Sequence, residues 1–146
     1  MTPRRKIIIV DDHPLFREGM RLLIEREGIG EIVAEAKNGQ AFLDLLKIHQ
    51  PDLVVMDVEM PVMDGLEATR LALAMSPGLK ILLITMYYER EYHSALINSG
   101  AMGFVLKTSG KQKLEKAIRT IISGERYFPG QETDDQYKAK SNTKSI

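Results

Sequence analysis

Asp11 and Asp12 stand directly after the apolar run Ile7 to Val10 (IIIV), and Asp57 directly after Leu53 to Met56 (LVVM). Thr85 closes the run Ile81 to Thr85 (ILLIT), and Lys107 follows Gly103 to Leu106 (GFVL). Three carboxylates, a hydroxyl and an ammonium have complementary chemistry. Two carboxylates about 4 Å apart repel by about 4 kcal/mol at an effective dielectric of about 20, so a cluster of Asp11, Asp12 and Asp57 calls for a cation. The chain has no cysteine, and its three histidines form no convergent pair in the sequence. That leaves oxygen ligands, which suit a hard ion such as Mg2+. An aspartate beside Mg2+, flanked by a lysine and a hydroxyl, is equipped to accept a phosphoryl group. Metal and lysine would neutralise the charge spreading over the equatorial oxygens, and the carboxylate would be the in-line nucleophile, giving an acyl phosphate.

Each residue taken alone has a plainer reading. Strand-end Asp and Thr commonly cap the next helix, and a strand-end lysine is usually a solvated charge. The set gains weight from the elements that would position it. Five short apolar runs, the four above and Ile32 to Ala36 (IVAEA), alternate with segments of helical period. Those segments are marked by Phe16, Met20, Leu23 and Ile24; by Phe42, Leu45 and Leu46; by Leu66, Leu73 and Met75; by Tyr92, Ala95 and Leu96; and by Leu114, Ala117, Ile118, Ile121 and Ile122. Turn residues separate them at Asn38-Gly39, Gln50-Pro51-Asp52, Ser76-Pro77-Gly78 and Asn98 to Gly100. Repeated βαβ units of this kind predict a doubly wound α/β fold, a five-stranded parallel sheet with helices on both faces. Near-continuous apolar strands agree, because such a sheet has no wet face. Ligands of open α/β sheets bind outside the carboxyl ends of the strands. One geometric rule therefore brings all five residues to one crevice.

Composition bounds the rest. With 146 residues, 44% hydrophobic and 27% charged, the chain suits one domain whose core needs no disulfide or structural metal. The absence of cysteine excludes a thiol nucleophile, a thiolate zinc site and an iron–sulfur cluster. Twenty Lys and Arg balance twenty Asp and Glu, so no positive field draws the chain to DNA by itself. No run approaches the roughly eighteen apolar residues of a membrane span, and the apolar stretch after Lys6 is too short for a secretory signal. A cytoplasmic location is expected. From Gly130 to Ile146 only Tyr137, Ala139 and Ile146 are apolar. The expected division is a domain over 1–128 and a polar, disordered tail or linker over 129–146.

Between about Lys6 and Gly124 the sequence resembles response regulator receiver domains of two-component signalling. The resemblance is carried by Asp11-Asp12-His13-Pro14, by Asp57 to Gly65 (DVEMPVMDG), by Thr85 and by Phe104-Val105-Leu106-Lys107. The stretches DDHPLFREGM, LLITMYYEREY and GFVLKTSG are similar to receivers joined to a helix-turn-helix of the nitrate-response and quorum-regulator type. The resemblance implies a flavodoxin-like (βα)5 fold of strand order 2-1-3-4-5. It implies Asp57 as phosphoacceptor, Asp12 as the principal Mg2+ carboxylate, and Asp11 as a second acid acting mainly through metal-bound water. It further implies Asp57 itself and the backbone carbonyl of Glu59 as metal ligands, Lys107 as the phosphate-sensing lysine, and Thr85 with Phe104 as the switch pair. The donor would be a phosphohistidine on a cognate sensor histidine kinase. The chain would be no enzyme acting on a separate substrate, but a phosphoacceptor that promotes its own Mg2+-dependent phosphorylation and dephosphorylation. A phosphorylation-dependent homodimer is expected as well. DNA would be reached only through an output domain absent from these residues.

Some positions depart from the family pattern. Thr108 follows Lys107 where many receivers carry proline, and Glu59 and Tyr87 occupy two variable positions that tune phosphoryl lifetime. The Glu59 side chain could obstruct the attacking water or repel it. His13 reads as a loop residue at the mouth of the site, since oxygen-rich Mg2+ sites do not use imidazole. Met60 and Met63 read as gap fillers, Pro61 and Gly65 as structural. Two other functions compete: a natural single-domain regulator acting by protein–protein contact, and a flavodoxin-like cofactor-binding module. Against the latter, the loop Asp11 to Leu15 lacks the glycines of a phosphate cradle.

Overall fold

The computed structural model describes residues 4–87 and 89–129. Tyr88 and the polar segment 130–146 lie outside the described residues, as do residues 1–3. Five strands, β1 (Lys6–Val10), β2 (Glu31–Ala36), β3 (Leu53–Asp57), β4 (Ile81–Thr85) and β5 (Gly103–Leu106), alternate with five helices. The helices are α1 (Pro14–Arg26), α2 (Gly39–Leu45), α3 (Gly65–Met75), α4 (Arg90–Asn98) and α5 (Lys111–Ile122). The sheet is parallel throughout, in the order β2-β1-β3-β4-β5. Each expected strand and each expected helix is present, in the expected order.

Strand alternation divides the core into two layers. Ile8, Val10, Val54, Met56, Leu83 and Phe104 face one side, packed with Phe42 of α2, Ala68 and Ala72 of α3 and Leu96 of α4. Ile7, Ile9, Val55, Leu82, Ile84 and Val105 face the other, against Met20 and Ile24 of α1 and Ala117, Ile118 and Ile121 of α5. β3 and β4 are buried along their whole length, which is why their sequences run apolar without polar interruption.

Local signals set the boundaries. Pro14 starts α1 at its first turn, where a missing N–H costs nothing. The Asn38 side chain accepts from the Ala41 N–H at 2.8 Å and caps α2. Asp64 caps α3 by accepting from the Glu67 N–H at 2.8 Å.

The buried face of α3 differs from the expected one. Leu66 and Leu73 are only partly buried and Met75 is exposed, whereas Ala68, Thr69 and Ala72 are fully buried. Small residues bring this helix close to the sheet, a contact that a search for large apolar side chains overlooks. In α2, Phe42 and Leu43 carry the burial and Leu45 and Leu46 lie at the margin. In α4 only Leu96 is buried, and Ala95 faces outward. The structured core also runs past Gly124. Tyr127 bridges Gly103 at the edge of the sheet, and Tyr127 and Phe128 are each 5% exposed. A Cβ at Gly103 would run into the Tyr127 carbonyl, so this contact requires glycine. Among the described residues, no helix is long and apolar enough to cross a membrane.

Candidate functional site

The register of the sheet assembles the site. Val10 pairs with Met56, so the next residues, Asp11 and Asp57, leave adjacent strands side by side. Asp57 pairs with Ile84, and Thr85 with Leu106, which carries Thr85 and Lys107 to the same edge. Alternation then sorts the side chains. Asp11, Asp57 and Lys107 share the parity of the α1/α5 layer, and Thr85 that of the layer beneath α3 and α4.

Lys107 ties the acids together. Its Nζ lies 3.0 Å from Asp11 Oδ2 and 3.3 Å from Asp57 Oδ2, and its side chain is only 9% exposed. The Phe16 ring covers the ammonium, 4.4 Å from centroid to nitrogen. Asp57 Oδ1 also accepts from the Glu59 backbone N–H at 3.3 Å. These contacts do not balance the charge. Burial, followed by the nearby Asp11 charge, pushes the Asp57 carboxyl up to about 6, against the lowering pull of Lys107.

Four groups converge closely enough to hold a metal ion: ligand atoms of Asp11, Asp12, His13 and Asp57 all lie within 4.8 Å of one another. A second observation points the same way. Asp11 Oδ2 and Asp12 Oδ1 are buried and accept no directed hydrogen bond, although Lys107 Nζ and His13 Nδ1 stand near them as ion-pair neighbours. Buried carboxylate oxygens without donors are what a bound cation satisfies.

His13 lies in the loop after β1, its side chain 60% exposed at the mouth of the site, and its ring reaches the acids. Its Nδ1 is 3.1 Å from Asp11 Oδ1, 3.2 Å from Asp12 Oδ1 and 2.9 Å from Lys107 Nζ. A proton on Nδ1 makes it a donor to the acids; without one it accepts from the lysine. Arg17 fastens the same loop, donating to the Asp11 carbonyl at 2.7 Å while its Nε pairs with Glu35 at 3.2 Å.

On the opposite side, Thr85 is fully buried, and its hydroxyl donates to Glu59 Oε2 at 2.9 Å. The Met86 N–H donates to Glu59 Oε1 and the Tyr92 hydroxyl to Glu59 Oε2, each at 2.9 Å. Burial and the Glu59 charge push the Tyr92 hydroxyl pKa upward, so it remains a donor. Phe104 is buried beside His93 and Phe128. The structure thus brings Asp11, Asp12, Asp57 and Lys107 together directly, and links Thr85 to them through Glu59. Sequence reasoning missed the carboxylate of Glu59 as the hub of this second cluster.

The loop between β3 and α3 carries Glu59, which joins the two clusters. The Met63 N–H donates to the Pro61 carbonyl at 2.7 Å, closing a tight turn whose central residue, Val62, has φ 70. Gly65 must be glycine, because a Cβ would meet the Asp57 carbonyl and lie 2.8 Å from the Val58 Cα. A groove of 810 Å3 between α1 and α5, lined by Phe16, Met20, Leu23 and Leu114, opens beside Lys107 rather than over the acids. Its lining is mainly apolar and offers no second set of reacting groups.

The response regulator receiver domain family model matches residues 7–119. This chain belongs to that family. The receiver domain is 39% identical to the response regulator GacA of Pseudomonas aeruginosa over 127 residues, covering 86% of this chain and 59% of GacA. It therefore spans less than two thirds of that relative. It superposes with TM-score 0.84 and 34% identity on a LuxR-family two-component response regulator from Aurantimonas, over 94% of this chain and 99% of that one. The isolated receiver domain of RcsB from Salmonella enterica, solved with the phosphomimetic BeF3-, matches with TM-score 0.80 and 26% identity, over 86% and 94% of the two chains. The chain is thus a two-component receiver domain related to LuxR-family regulators, and its strand order is the one the family resemblance implied.

Proposed function

We propose that this receiver takes a phosphoryl group onto Asp57 from the phosphohistidine of a cognate sensor histidine kinase. The observation that carries the reading is the environment of Asp57: a 1% exposed carboxylate with Lys107 on one side and Asp11 and Asp12 on the other. In the transfer, the P–N bond to the donor imidazole breaks as the P–O bond to Asp57 forms, leaving the imidazole to pick up a proton. Hydrolysis later returns the carboxylate and inorganic phosphate.

Asp57 must be ionised to attack, and Lys107 favours that form while offering an ammonium to the incoming oxygens. Mg2+ fits the oxygen-rich donor set; Asp11, Asp12, Asp57 and the Glu59 backbone carbonyl would hold it, with Asp12 the principal carboxylate. Bound there, the ion would offset the charge of the transferring group. Thr85 and Phe104 form the switch: about two new negative charges on Asp57 attract the Thr85 hydroxyl, and the vacated space admits the Phe104 ring. His13, at 3.1 Å from Asp11, helps to shape the acidic pocket.

By likeness to the transcriptional regulatory protein DegU of Brevibacillus brevis and to a DNA-binding LuxR-family response regulator of Staphylococcus aureus, the output is transcription; the family resemblance places it in a helix-turn-helix domain outside the receiver. In this reading 1–128 form the receiver and 129–146 the linker. A phosphorylation-dependent homodimer would couple the two. The long stripe of α5 is not its interface, since Ala117, Ile118 and Ile121 face the sheet. Location in the cytoplasm follows from partnership with a kinase domain there. Incubation with acetyl phosphate and Mg2+ tests the chemistry. Wild type should gain a hydroxylamine-sensitive acyl phosphate that Asp57→Asn lacks; equal labelling of both contradicts the reading.

A further inference from the structure

The carboxylate of Glu59 sits where an anion on Asp57 would need to be recognised. It accepts from three donors at once: the Thr85 hydroxyl, the Met86 backbone N–H and the Tyr92 hydroxyl, each at 2.9 Å. Two of these, on Thr85 and Met86, lie at the carboxyl end of β4, the strand paired with Asp57. They are the donors on that side of Asp57 that an added phosphoryl group could recruit. The third comes from α4, so the same side chain spans the β3–α3 loop, the β4 end and the fourth helix. The Tyr87 ring packs edge-on against Tyr92 at 5.0 Å, and the Tyr87 N–H donates to the Thr85 hydroxyl at 3.1 Å, extending the cluster along the β4–α4 loop.

We propose that the Glu59 carboxylate is an internal stand-in for the phosphoryl group: it occupies the Thr85 and Met86 donors in the unmodified protein, and must be expelled before Asp57-bound phosphoryl can engage them. The inference rests on the reading of Asp57 as phosphoacceptor. Three charge-assisted hydrogen bonds hold the clasp closed. A phosphoryl group beside it presents like charge and competing acceptor oxygens, and both effects open it. Release of Tyr92 then frees the α4 end of the clasp, so α4 is coupled to Asp57 through Glu59 as well as through Thr85. Glu59 is thereby a positioning residue acting through Thr85. It sets how much of the incoming anion's interaction is spent on displacement.

Beryllium fluoride with Mg2+ places three acceptor fluorines on an aspartate oxygen and serves as the probe. Its affinity, followed by the amide spectra of the whole chain, should rise about tenfold in Glu59→Ala, with Glu59→Gln between Ala and wild type. In the unliganded variants the Met86 amide should move away from its wild-type position. Tyr92→Phe retains the Glu59 charge but removes one arm of the clasp. A tighter complex in this variant is expected from competition for donors and not from charge repulsion alone; it also serves should Glu59→Ala fail to fold. Binding by wild type with no gain in the Glu59 and Tyr92 variants overturns the clasp and leaves the Asp57 reading standing. No binding by any form overturns both, and binding retained by Asp57→Asn overturns the Asp57 reading.

Discussion

Lys107 Nζ lies 3.3 Å from Asp57 Oδ2 at the ends of two strands that are not neighbours in the sheet. β4 intervenes, and the lysine crosses it on the α1/α5 side, while Thr85 at the end of β4 points to the other side. Lys107 therefore contacts Asp57 directly, whereas Thr85 is tied to its surroundings through Glu59. A phosphoryl group there would meet an ammonium already in place and a hydroxyl still engaged with Glu59.

The position of Asp57 makes stability depend on pH in a defined direction. Its native carboxyl is held up to about 6 against an ordinary 3.8, so the native state binds the proton more tightly than the unfolded chain. This group's contribution therefore falls as pH rises from about 4 to about 6, a difference of order 3 kcal/mol. In metal-free buffer, Asp57→Asn should be more stable than wild type at pH 7.5, and the two should converge below about pH 4. Urea unfolding at both pH values checks this; equal stability at pH 7.5 counts against it.

Divalent cation should relieve the same excess charge. Mg2+ at about 100 times its dissociation constant should stabilise wild type by about 2.7 kcal/mol, visible as a higher melting temperature. Asp12→Ala should lose most of that gain while melting normally without metal. A cation response that is unchanged in Asp12→Ala would place the metal elsewhere.

Replacing Lys107 by methionine retains its packing against Phe16 but leaves Asp11 and Asp57 without their cation. Removing one partner from a buried ion pair costs about 3 kcal/mol at neutral pH. The cost should shrink as pH falls through about 6 and below, where Asp57 takes up its proton. Unfolding of Lys107→Met across this range is the check, together with loss of labelling by acetyl phosphate.

Val62 occupies the left-handed region, which a β-branched side chain rarely adopts, and its side chain is 83% exposed. Val62→Gly should relieve this strain and stabilise the fold by about 1 kcal/mol, net of glycine's greater unfolded-state entropy. Gly65→Ala should do the reverse, by pressing a Cβ on the backbone of Asp57 and Val58. Denaturant midpoints of the pair give the test.

Much of this site was legible because one rule, ligands at the carboxyl ends of parallel strands, acts on residues that directly follow apolar runs. Asp11, Asp57, Thr85 and Lys107 all came from it, and the family resemblance assigned their roles. The Glu59 clasp was not legible. It joins residues 26 to 33 positions apart through a loop whose path depends on Val62 and Gly65. His13 was read as a loop residue at the mouth of the site; its contacts to Asp11 and Asp12 were not legible, because they depend on how the turn after β1 aims its ring. On α3 the packing signal lay in alanines, which periodicity of large side chains passes over, and Tyr127 joins the sheet edge only because Gly103 leaves room for it.

Intact mass spectrometry after incubation with acetyl phosphate and Mg2+ tests the central claim most directly, run beside Asp57→Asn and a sample without metal. A gain of a single phosphoryl group in wild type, absent from the variant and from the metal-free sample, is the predicted result. A gain that persists in Asp57→Asn, or none in wild type under any donor including a sensor kinase phosphohistidine, would contradict it.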